Sequence, residues 1–434
     1  MDHGATSVRS QCPVKSQVSF AAPSDPGTYM RMFPELPSLN SDEQFLHGLG
    51  RHNGACDYGN IDDTPGSLSN TAAGWPFFGQ FIAHDITSDQ SPLRSGTNAT
   101  ELRNARSAKL KLECVYGEPP RGLPFLFQRD DPAKFLLSHD EYDLQRNAEG
   151  LALIPDARND THLIISQLHL AMLQAHNKFV DELRLGGVSD RVIFNEAARQ
   201  LRWHYQWFTL NEYLPSLVGK TLVDQVLHEG PRWFRSGHIP LEFAYGAFRY
   251  GHSQIRHRYR TNLSSSPVSL FPDLMGMRPV AREHIVNWSL FFDAPGTKSA
   301  QRAKKIDGTL VRSLIELPPA LTGKCEIDEH HSLAVRDLQR GHGVGLPSGE
   351  AVARHIGVKP LTADEVGIAT TETPLWYYIL RESDVFTGGD RLGPVGGLIV
   401  TEVLVGLIDA DATSFRRLNR DWRPTKTLAE LLAA

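Results

Sequence analysis

Residues 160–184, with the sequence DTHLIISQLHLAMLQAHNKFVDELR, decide the fold class of this chain. Their apolar side chains recur every three or four residues, which is the spacing of an amphipathic helix. The residues that share this face are Leu163, Leu170, Leu173, Phe179, Val180 and Leu183. An Asp or a Thr at the start of the segment is available to cap the helix. The pattern predicts a long helix with one face packed into the protein.

Helical patterns continue on both sides of this segment. A second long helix is expected over residues 188–218. Shorter helices are expected over residues 74–86, 242–255, 348–356 and 396–408, with Gly and Pro supplying the breaks. Alternating strand patterns are scarce, and neither a repeat nor a low-complexity linker divides the chain. The sequence predicts a mainly α fold with little β structure, in a single domain over residues 1–434 whose first 30 residues form an irregular arm.

Composition excludes several classes of protein. The chain has 434 residues, of which 41% are hydrophobic and 22% charged, and this is typical of a soluble globular protein with a large core. Its net charge of -5 gives no basic excess that would favour a nucleic-acid or membrane-surface partner. The four cysteines are far apart and match no zinc spacing, so they are expected to be free thiols; they are Cys12, Cys56, Cys114 and Cys325.

No membrane segment or standard signal peptide is expected. The first 20 residues lack an apolar run, and the most apolar later stretch, residues 392–408, is interrupted by glycines and by Glu402. These features predict a cytoplasmic protein, or one exported by a route that needs no N-terminal signal.

The first segment that carries chemistry is GQFIAHD at residues 79–85. If it is helical, Gln80 and His84 are four residues apart and share a face, so an amide and an imidazole would converge on one ligand. The alternative is that His84 is a hydrogen-bonded core residue, which is the commoner role of a histidine among aromatic side chains.

The second segment, PDARND at residues 155–160, places Arg158 just before the long apolar helix. A fixed guanidinium can stabilise negative charge on a bound anion or a leaving oxygen. The alternative is a structural salt bridge from Arg158 to Asp156 or Asp160. His169 and His176 follow on one face of the long helix and are interpreted as packed core histidines.

The third segment is AFRYGH at residues 247–252, to which RDLQRG at residues 336–341 adds a remote carboxylate. A histidine after a small residue and beside aromatic side chains suits an imidazole that reaches a planar metal cofactor. Asp337 could then orient the other ring nitrogen of His252.

Seven segments in this order resemble the animal haem peroxidase family, also called the peroxidase-cyclooxygenase superfamily, in its bacterial branch. They are FPELPSL from residue 33, GQFIAHD, SAKLKLECVYG from residue 107, RNDTHLIISQLHLAMLQAHN, FRYGH, DLQRGHGVGLPSG and RLGPVGGLIVTEVLVGL. The resemblance covers most of the chain. It implies a helical domain around a buried b-type haem.

The resemblance also implies roles for individual residues. His84 matches the distal histidine, Gln80 the distal glutamine and Arg158 the distal arginine. His252 matches the proximal iron ligand, and Asp337 stands where other members have an asparagine bonded to that ligand.

Two arginines match those that approach the haem propionates in the family. They are Arg249, three residues before the proximal histidine, and Arg340.

The activity implied is that of a haem peroxidase, which reduces hydrogen peroxide through a ferryl intermediate. It would oxidise small donors: phenols, iodide, bromide or thiocyanate. A fatty-acid oxygenase would need a tyrosine where this chain has Arg249, and Tyr245 and Tyr250 are at other offsets. A non-enzymatic adhesive member is the other alternative, and retention of the distal and proximal residues argues against it.

The chain departs from the mammalian pattern where haem is bound covalently. The two positions that carry carboxylates in mammalian members are Ala83 and Thr161, neither of which can form an ester. The neighbouring position, a methionine in myeloperoxidase, is His162. We therefore expect noncovalent haem b and a cofactor too weakly oxidising for chloride.

The family's calcium site is also altered, so calcium is doubtful. Its positions correspond to Asp85, Ser107, Lys111 and Glu113. A lysine cannot coordinate calcium, and its ammonium could instead pair with Asp85 and Glu113 in place of the ion. The alternative is that Lys111 points to solvent and calcium binds through the two carboxylates.

Overall fold

The computed structural model describes residues 28–59, 63–88, 102–117, 120, 122–325 and 327–433. The predicted mainly α class is confirmed. The first helices in the chain are α1 Glu43–Gly50, α2 Trp75–Ile86, α3 Glu113–Tyr116, α4 Leu163–Leu185, α5 Ile193–Phe208, α6 Leu214–Val218, α7 Lys220–Glu229 and α8 Leu241–Ala244. The later ones are α9 Arg312–Ile315, α10 Pro319–Thr322, α11 Leu333–Gly343, α12 Gly349–His355, α13 Ala363–Val366, α14 Leu375–Thr387, α15 Pro394–Ala410, α16 Phe415–Leu418 and α17 Leu428–Leu432.

The strands of the described residues are short and form two-stranded pairs. Strand β1 Thr28–Met30 pairs in parallel with β3 His238–Pro240, and β2 Leu68–Ala72 pairs antiparallel with β6 Arg302–Lys304. A third antiparallel pair joins β4 Arg258–Tyr259 to β5 Val268–Ser269. The prediction of an irregular arm is wrong for residues 28–30, which form β1. The rest of that arm, residues 1–27, lies outside the described residues.

The two long central helices pack against each other as α4 and α5. Helix α4 begins at Leu163, three residues later than the sequence suggested, because the His162 side chain caps it by accepting a hydrogen bond from Ile165 N. The expected Asp or Thr cap is therefore wrong. The second helix begins at Ile193 and reaches Val218 through a π turn at Thr209–Tyr213.

The π turn brings one ring close to α2. A Cβ at Gly79 would lie only 2.5 Å from the Tyr213 hydroxyl, so any larger residue at that position of α2 would push this ring away. Tyr213 also hydrogen-bonds through its hydroxyl to Tyr250, at 2.7 Å. Helix α2 is thereby fixed next to the segment that carries His252.

That segment is not the single helix that the sequence predicted. Residues 242–255 divide into the end of α8 and a 3₁₀ helix, Ala247–Gln254, because Gly246 takes a non-helical backbone conformation between them. A Cβ at Gly246 would lie 2.6 Å from the Glu242 carbonyl oxygen, so the tight approach needs glycine. The 3₁₀ helix packs directly against α2.

The remaining short helices lie close to their predicted places, at α2, α12 and α15. In the part of the chain that the structure describes, no helix combines the length and apolar character needed to cross a membrane. Cys56, Cys114 and Cys325 are free thiols, as expected, and Cys12 lies outside the described residues.

Candidate active site

His84 lies buried in the last turn of α2. Apolar side chains anchor this helix in the core, among them Phe77, Phe81 and Ile82. The His84 Nδ1 atom lies 2.7 Å from Asn159 Oδ1, so Nδ1 carries the ring hydrogen and donates it to the amide oxygen. Burial, followed by the positive charge of Arg158, lowers the pKa of His84 to about 4. The imidazole is therefore neutral at pH 7, with a lone pair on Nε2.

Arg158 is fixed beside His84 by its own hydrogen bonds. It lies in the 3₁₀ turn Ala157–Asp160, and its Nε and Nη2 atoms donate to the Asp156 carboxylate at 2.9 and 2.6 Å. Nη2 also donates to the carbonyl oxygens of His84 and Thr87, at 3.0 and 2.7 Å. The salt bridge to Asp156 that the sequence left open is thus present, and it holds the guanidinium against the end of α2.

Asp156 is shared between two arginines. Arg106 donates to it at 2.6 Å, and both arginines hold the pKa of this buried carboxyl well below its usual range, against the effect of burial. Asp160, the other partner considered for Arg158, is bonded instead to Arg146, at 2.6 and 2.9 Å. Arg158 is therefore held in place by groups of the protein, and one carboxylate does not neutralise both guanidinium charges.

Gln80 is paired with His162. Its Oε1 atom accepts from His162 Nε2 at 2.9 Å, and the Nδ1 atom of the same ring accepts from Ile165 N. Burial lowers the pKa of His162 to about 3, so this ring is neutral and its single hydrogen points at the amide. His162 therefore fixes which end of the Gln80 amide is free to donate elsewhere.

His252 lies on the 3₁₀ helix that packs against α2, and its Nδ1 atom is 2.5 Å from Asp337 Oδ2. The second oxygen of Asp337 accepts from Arg249 Nη1 at 2.7 Å. Burial would raise the pKa of Asp337, but the charges of His252 and Arg249 hold it below its usual value. A carboxylate on Nδ1 leaves the Nε2 lone pair of His252 available, which is the arrangement of a metal-ligating histidine.

Arg249 is bonded to a carboxylate of the chain. Its guanidinium binds Asp337, and its Nε donates to the Ala244 carbonyl at 3.0 Å. The contact with a haem propionate that the resemblance implies stays a prediction. Arg336 donates to the His330 carbonyl at 2.7 Å. Arg340 lies on α11, about one turn after Asp337.

Comparison with known proteins fits this geometry. The family model for animal haem peroxidase matches residues 94–370, which is more than half of the chain. The chain belongs to the animal haem peroxidase family. Membership implies a haem cofactor and oxidoreductase chemistry.

Two curated relatives are nematode peroxidases. Peroxidase mlt-7 of Caenorhabditis elegans is 27% identical over 268 residues, which are 57% of this chain and 34% of that protein. Heme peroxidase 2 of the same organism is 27% identical over 111 residues, or 23% of this chain and 16% of that protein. The chain matches about a third or less of the length of these relatives.

Solved structures share the fold at low sequence identity. Peroxidase A from Dictyostelium discoideum has a TM-score of 0.67 at 15% identity, over 94% of this chain and 92% of the other. The fatty acid alpha-dioxygenase of Oryza sativa has a TM-score of 0.60 at 13% identity, over 85% of this chain and 72% of the other. These likenesses show the fold alone, and they include both a peroxidase and an oxygenase.

The residues of this family member fit a haem. The two histidines come from adjacent elements, α2 and the 3₁₀ helix, and each has its Nδ1 atom committed to a side-chain acceptor. The His252 side chain is 32% exposed, while the carboxylate behind it is fully buried. A buried acceptor behind a more accessible imidazole is the chemistry that an axial iron ligand needs.

The positions of covalent haem attachment carry no carboxylate. Ala83 lies on α2 immediately before His84, and Thr161 uses its hydroxyl to donate to the Arg158 carbonyl at 3.1 Å. Neither side chain can form an ester with the cofactor.

The predicted ammonium substitution at the calcium position is wrong. Lys111 makes no ion pair with Asp85 or Glu113 among the described residues, and its carbonyl accepts from Arg202 Nε at 2.9 Å. The carboxylates have other donors: Asp85 accepts from Leu112 N at 2.9 Å, and Glu113 accepts from the backbone N at 3.0 Å and from the hydroxyl of Ser107. Backbone and hydroxyl donors therefore take the place that Lys111 was expected to fill.

Asp85 lies close to a second carboxylate. Burial, followed by the charge of Glu113, raises the pKa of Asp85 to about 7. Among the described residues no group of three or more His, Cys, Asp or Glu side chains is arranged to hold a metal ion.

Sequence reasoning missed Asn159. It is fully buried and accepts the His84 hydrogen, and its Nδ2 atom lies 3.0 Å from His169 Nδ1. An asparagine next to a helix start ordinarily indicates a cap, so its type gave no sign of this contact. The only available signal was its position directly after Arg158.

Proposed function

We propose that this protein is a haem-dependent peroxidase that reduces hydrogen peroxide and oxidises small donors such as phenols, iodide, bromide or thiocyanate. The observation that carries the proposal is the neutral His84, whose Nδ1 hydrogen is committed to Asn159 and whose Nε2 lone pair is free to take a proton. Two further residues support the proposal: Arg158, which lies beside His84, and His252, which lies on the 3₁₀ helix that packs against α2.

The haem, when bound, supplies the iron redox chemistry that breaks the O–O bond. His252, held by Asp337, would bind its iron. His84 Nε2 accepts the proton from the near oxygen of peroxide and returns it to the far oxygen, which leaves as water. Arg158, already fixed by Asp156, stabilises the negative charge that develops on the leaving oxygen.

Gln80 orients what binds beside His84. Because His162 donates to its Oε1, the Gln80 amide nitrogen is free to donate to a bound oxygen or halide. The Asp337 and Arg249 pair holds the hydrogen of His252 on Nδ1, so that the imidazole keeps its orientation through the reaction.

Fatty-acid oxygenation is the second candidate, because dioxygenases are among the proteins that share the fold. The residue three positions before His252 is Arg249, which is bonded to Asp337 and cannot form a tyrosyl radical. Tyr250 is close, but its hydroxyl is bonded to Tyr213 in the core. These contacts favour the peroxidase.

One assay separates the two activities. The haem-loaded protein is given a phenol with hydrogen peroxide, and in parallel linoleate with oxygen. We expect peroxide-dependent oxidation of the phenol and no oxygen uptake with linoleate. Oxygen uptake without phenol oxidation would establish the oxygenase instead. A protein that binds haem and performs neither reaction would support the non-enzymatic alternative.

We expect the haem to be noncovalent. Acid-acetone or SDS treatment should release unmodified haem b from the pure protein, because Ala83 and Thr161 offer no carboxylate for an ester. Absorption spectra of the extract and of the polypeptide measure how much haem is in each. Haem that stays on the polypeptide would contradict the prediction. An Ala83→Asp variant is the matched comparison, since it restores a carboxylate at one of the two positions.

We also expect the protein to function without calcium. Elemental analysis should find less than one calcium per haem, and EDTA should leave the thermal midpoint nearly unchanged. The reason is that Ser107 and backbone N–H groups already satisfy Glu113 and Asp85. A tightly bound stoichiometric calcium, with a large loss of stability in EDTA, would refute this.

A further inference from the structure

Asn159 joins two buried histidines that come from different helices. Its Oδ1 atom lies 2.7 Å from Nδ1 of His84 on α2, and its Nδ2 atom lies 3.0 Å from Nδ1 of His169 on α4. Asn159 and His169 are both fully buried. The amide therefore gives one contact of each kind: it accepts from one ring and donates to the other.

Both rings are neutral, so each carries one hydrogen. Burial lowers the pKa of His169 to about 3, and burial with Arg158 lowers that of His84 to about 4. A neutral imidazole has one N–H and one lone pair, and the partner of one nitrogen decides which is which. The amide of Asn159 thus determines the tautomer of both rings at once.

The two orientations of the amide have opposite consequences. With Oδ1 towards His84, this ring has its hydrogen on Nδ1 and a lone pair on Nε2. If the amide were turned over, its nitrogen would donate to His84 Nδ1, and the hydrogen would move to Nε2. His84 could not accept a proton at Nε2 in that state, and His169 would donate from its own Nδ1.

The observed orientation leaves one group unsatisfied. His169 accepts at Nδ1, so its hydrogen is on Nε2, and that buried atom has no hydrogen-bond partner among the described residues. A buried donor without a partner destabilises the folded protein. Such a group in a native protein calls for an explanation, and functional sites are where local rules are commonly broken.

We propose that His169, acting through Asn159, fixes His84 in the tautomer with its hydrogen on Nδ1, so that Nε2 remains the proton acceptor. This rests on the proposed function of His84. His169 and Asn159 are positioning residues, because neither faces the reacting oxygen. Nε2 of His169 has no partner among the described residues in either orientation of the amide, so the contribution of His169 is its Nδ1 lone pair, which accepts from Asn159 Nδ2 and keeps Oδ1 towards His84.

Other charged groups also face His84, and they set its basicity. Arg158 and Arg106 lower its pKa, while Asp156 raises it, and the neutral ring of His162 lies on the other side. Burial raises the pKa of the Cys114 thiol, which also contacts Asn159, so it stays protonated. Substitutions at Asn159 and His169 leave all these groups in place.

Cyanide is a suitable probe, because its binding requires the same proton transfer without turnover. Hydrogen cyanide gives its proton to His84 Nε2, and the cyanide anion binds the ferric haem. The second-order rate constant, measured against pH in the haem-loaded protein, should fall as His84 becomes protonated near pH 4.

Three variants test the contributions of His169 and Asn159 to cyanide binding. His169→Phe keeps a ring in place but removes the acceptor for the amide, and Asn159→Leu removes the bridge. Each should slow cyanide binding at pH 7 by about 10- to 100-fold, part of the effect of a misplaced catalytic proton. Asn159→Asp keeps the size and the acceptor and adds a negative charge, so the acid limb should move up by about 1–3 pH units.

His176→Phe is the matched control. His176 is a fully buried histidine seven residues further along α4, and it is bonded to Tyr116 and to the Ala133 carbonyl. The His176→Phe protein should bind cyanide at the wild-type rate. If His169→Phe and Asn159→Asp give the wild-type rate and pH profile, the inference is overturned while the proposed function stands. If the rate constant for cyanide binding does not fall at low pH in the wild-type protein and does not depend on His84, the proposed function itself is wrong. Asn159→Asp hardly changes the size of the side chain. If His169→Phe or Asn159→Leu fails to fold, the pH dependence of cyanide binding in Asn159→Asp still tests the inference.

Discussion

Replacing His84 with alanine is expected to slow the reaction with hydrogen peroxide by about 10²- to 10⁴-fold, the contribution of a positioned acid–base group. The ring is buried and neutral, and it is oriented by Asn159, so its Nε2 atom can remove a proton at neutral pH. Alanine removes the acceptor and leaves the rest of α2 in place. Stopped-flow absorbance of the haem-loaded protein measures the rate directly.

The same experiment with Arg158→Ala should give a loss in the same range of about 10²- to 10⁴-fold, because a fixed charge near the leaving oxygen is removed. Asp156 keeps its bond to Arg106, so the site is not left with an uncompensated carboxylate.

His204→Ala is the control for loss of a buried histidine. His204 lies on α5 and bonds to the Gln200 carbonyl. Unchanged peroxide rates in His84→Ala and Arg158→Ala would show that the acid–base residues have been assigned wrongly.

Asp337→Leu is expected to destabilise the protein by about 3–5 kcal/mol, the usual cost of removing one partner of a buried ion pair. The carboxylate is fully buried, and it satisfies both the Arg249 guanidinium and the His252 N–H. Leucine would leave the partly buried Arg249 charge and the His252 N–H without this acceptor. Urea unfolding measures the loss in free energy of unfolding.

Two further variants serve as comparisons for the loss of stability. Asp337→Asn keeps an acceptor of the same shape, so it should recover part of the stability lost in Asp337→Leu. Asp160→Leu removes a carboxylate that pairs with Arg146 and should cost a similar amount of stability. A wild-type free energy of unfolding for Asp337→Leu would mean that the carboxylate does not hold the Arg249 guanidinium and the His252 N–H as described.

The fold was largely predictable because its signals are local. The apolar spacing of residues 160–184 requires only that one face be buried, and α4 is buried along nearly its whole length. The helix boundaries were less accurate, since the His162 cap depends on a ring that also meets Gln80 from another helix. Gly246 shows the same limit, because its non-helical conformation reflects a close approach to Glu242 that spacing does not reveal.

The contacts of the candidate site were predictable only in part. The sequence suggested Asp156 as a partner of Arg158 and Asp337 as a partner of His252, but it gave no sign that Asn159, 75 residues away, would meet His84. Arg249 could not be assigned to Asp337 from sequence alone, because nothing in a one-dimensional pattern distinguishes a propionate from a carboxylate of the chain. Lys111 was misassigned for the same reason, since the donors that replaced it are mostly backbone groups.

The central claim is that His252 and His84 serve one haem that reacts with peroxide: His252 would bind its iron, and His84 would move the proton of the peroxide. A titration of the haem-loaded protein with hydrogen peroxide, followed by its absorption spectrum, tests this most directly. We expect one haem per chain, with a Soret band that shifts stoichiometrically with peroxide and returns when a phenol is added. A protein that takes up no haem, or whose Soret band does not respond to peroxide, would contradict the account.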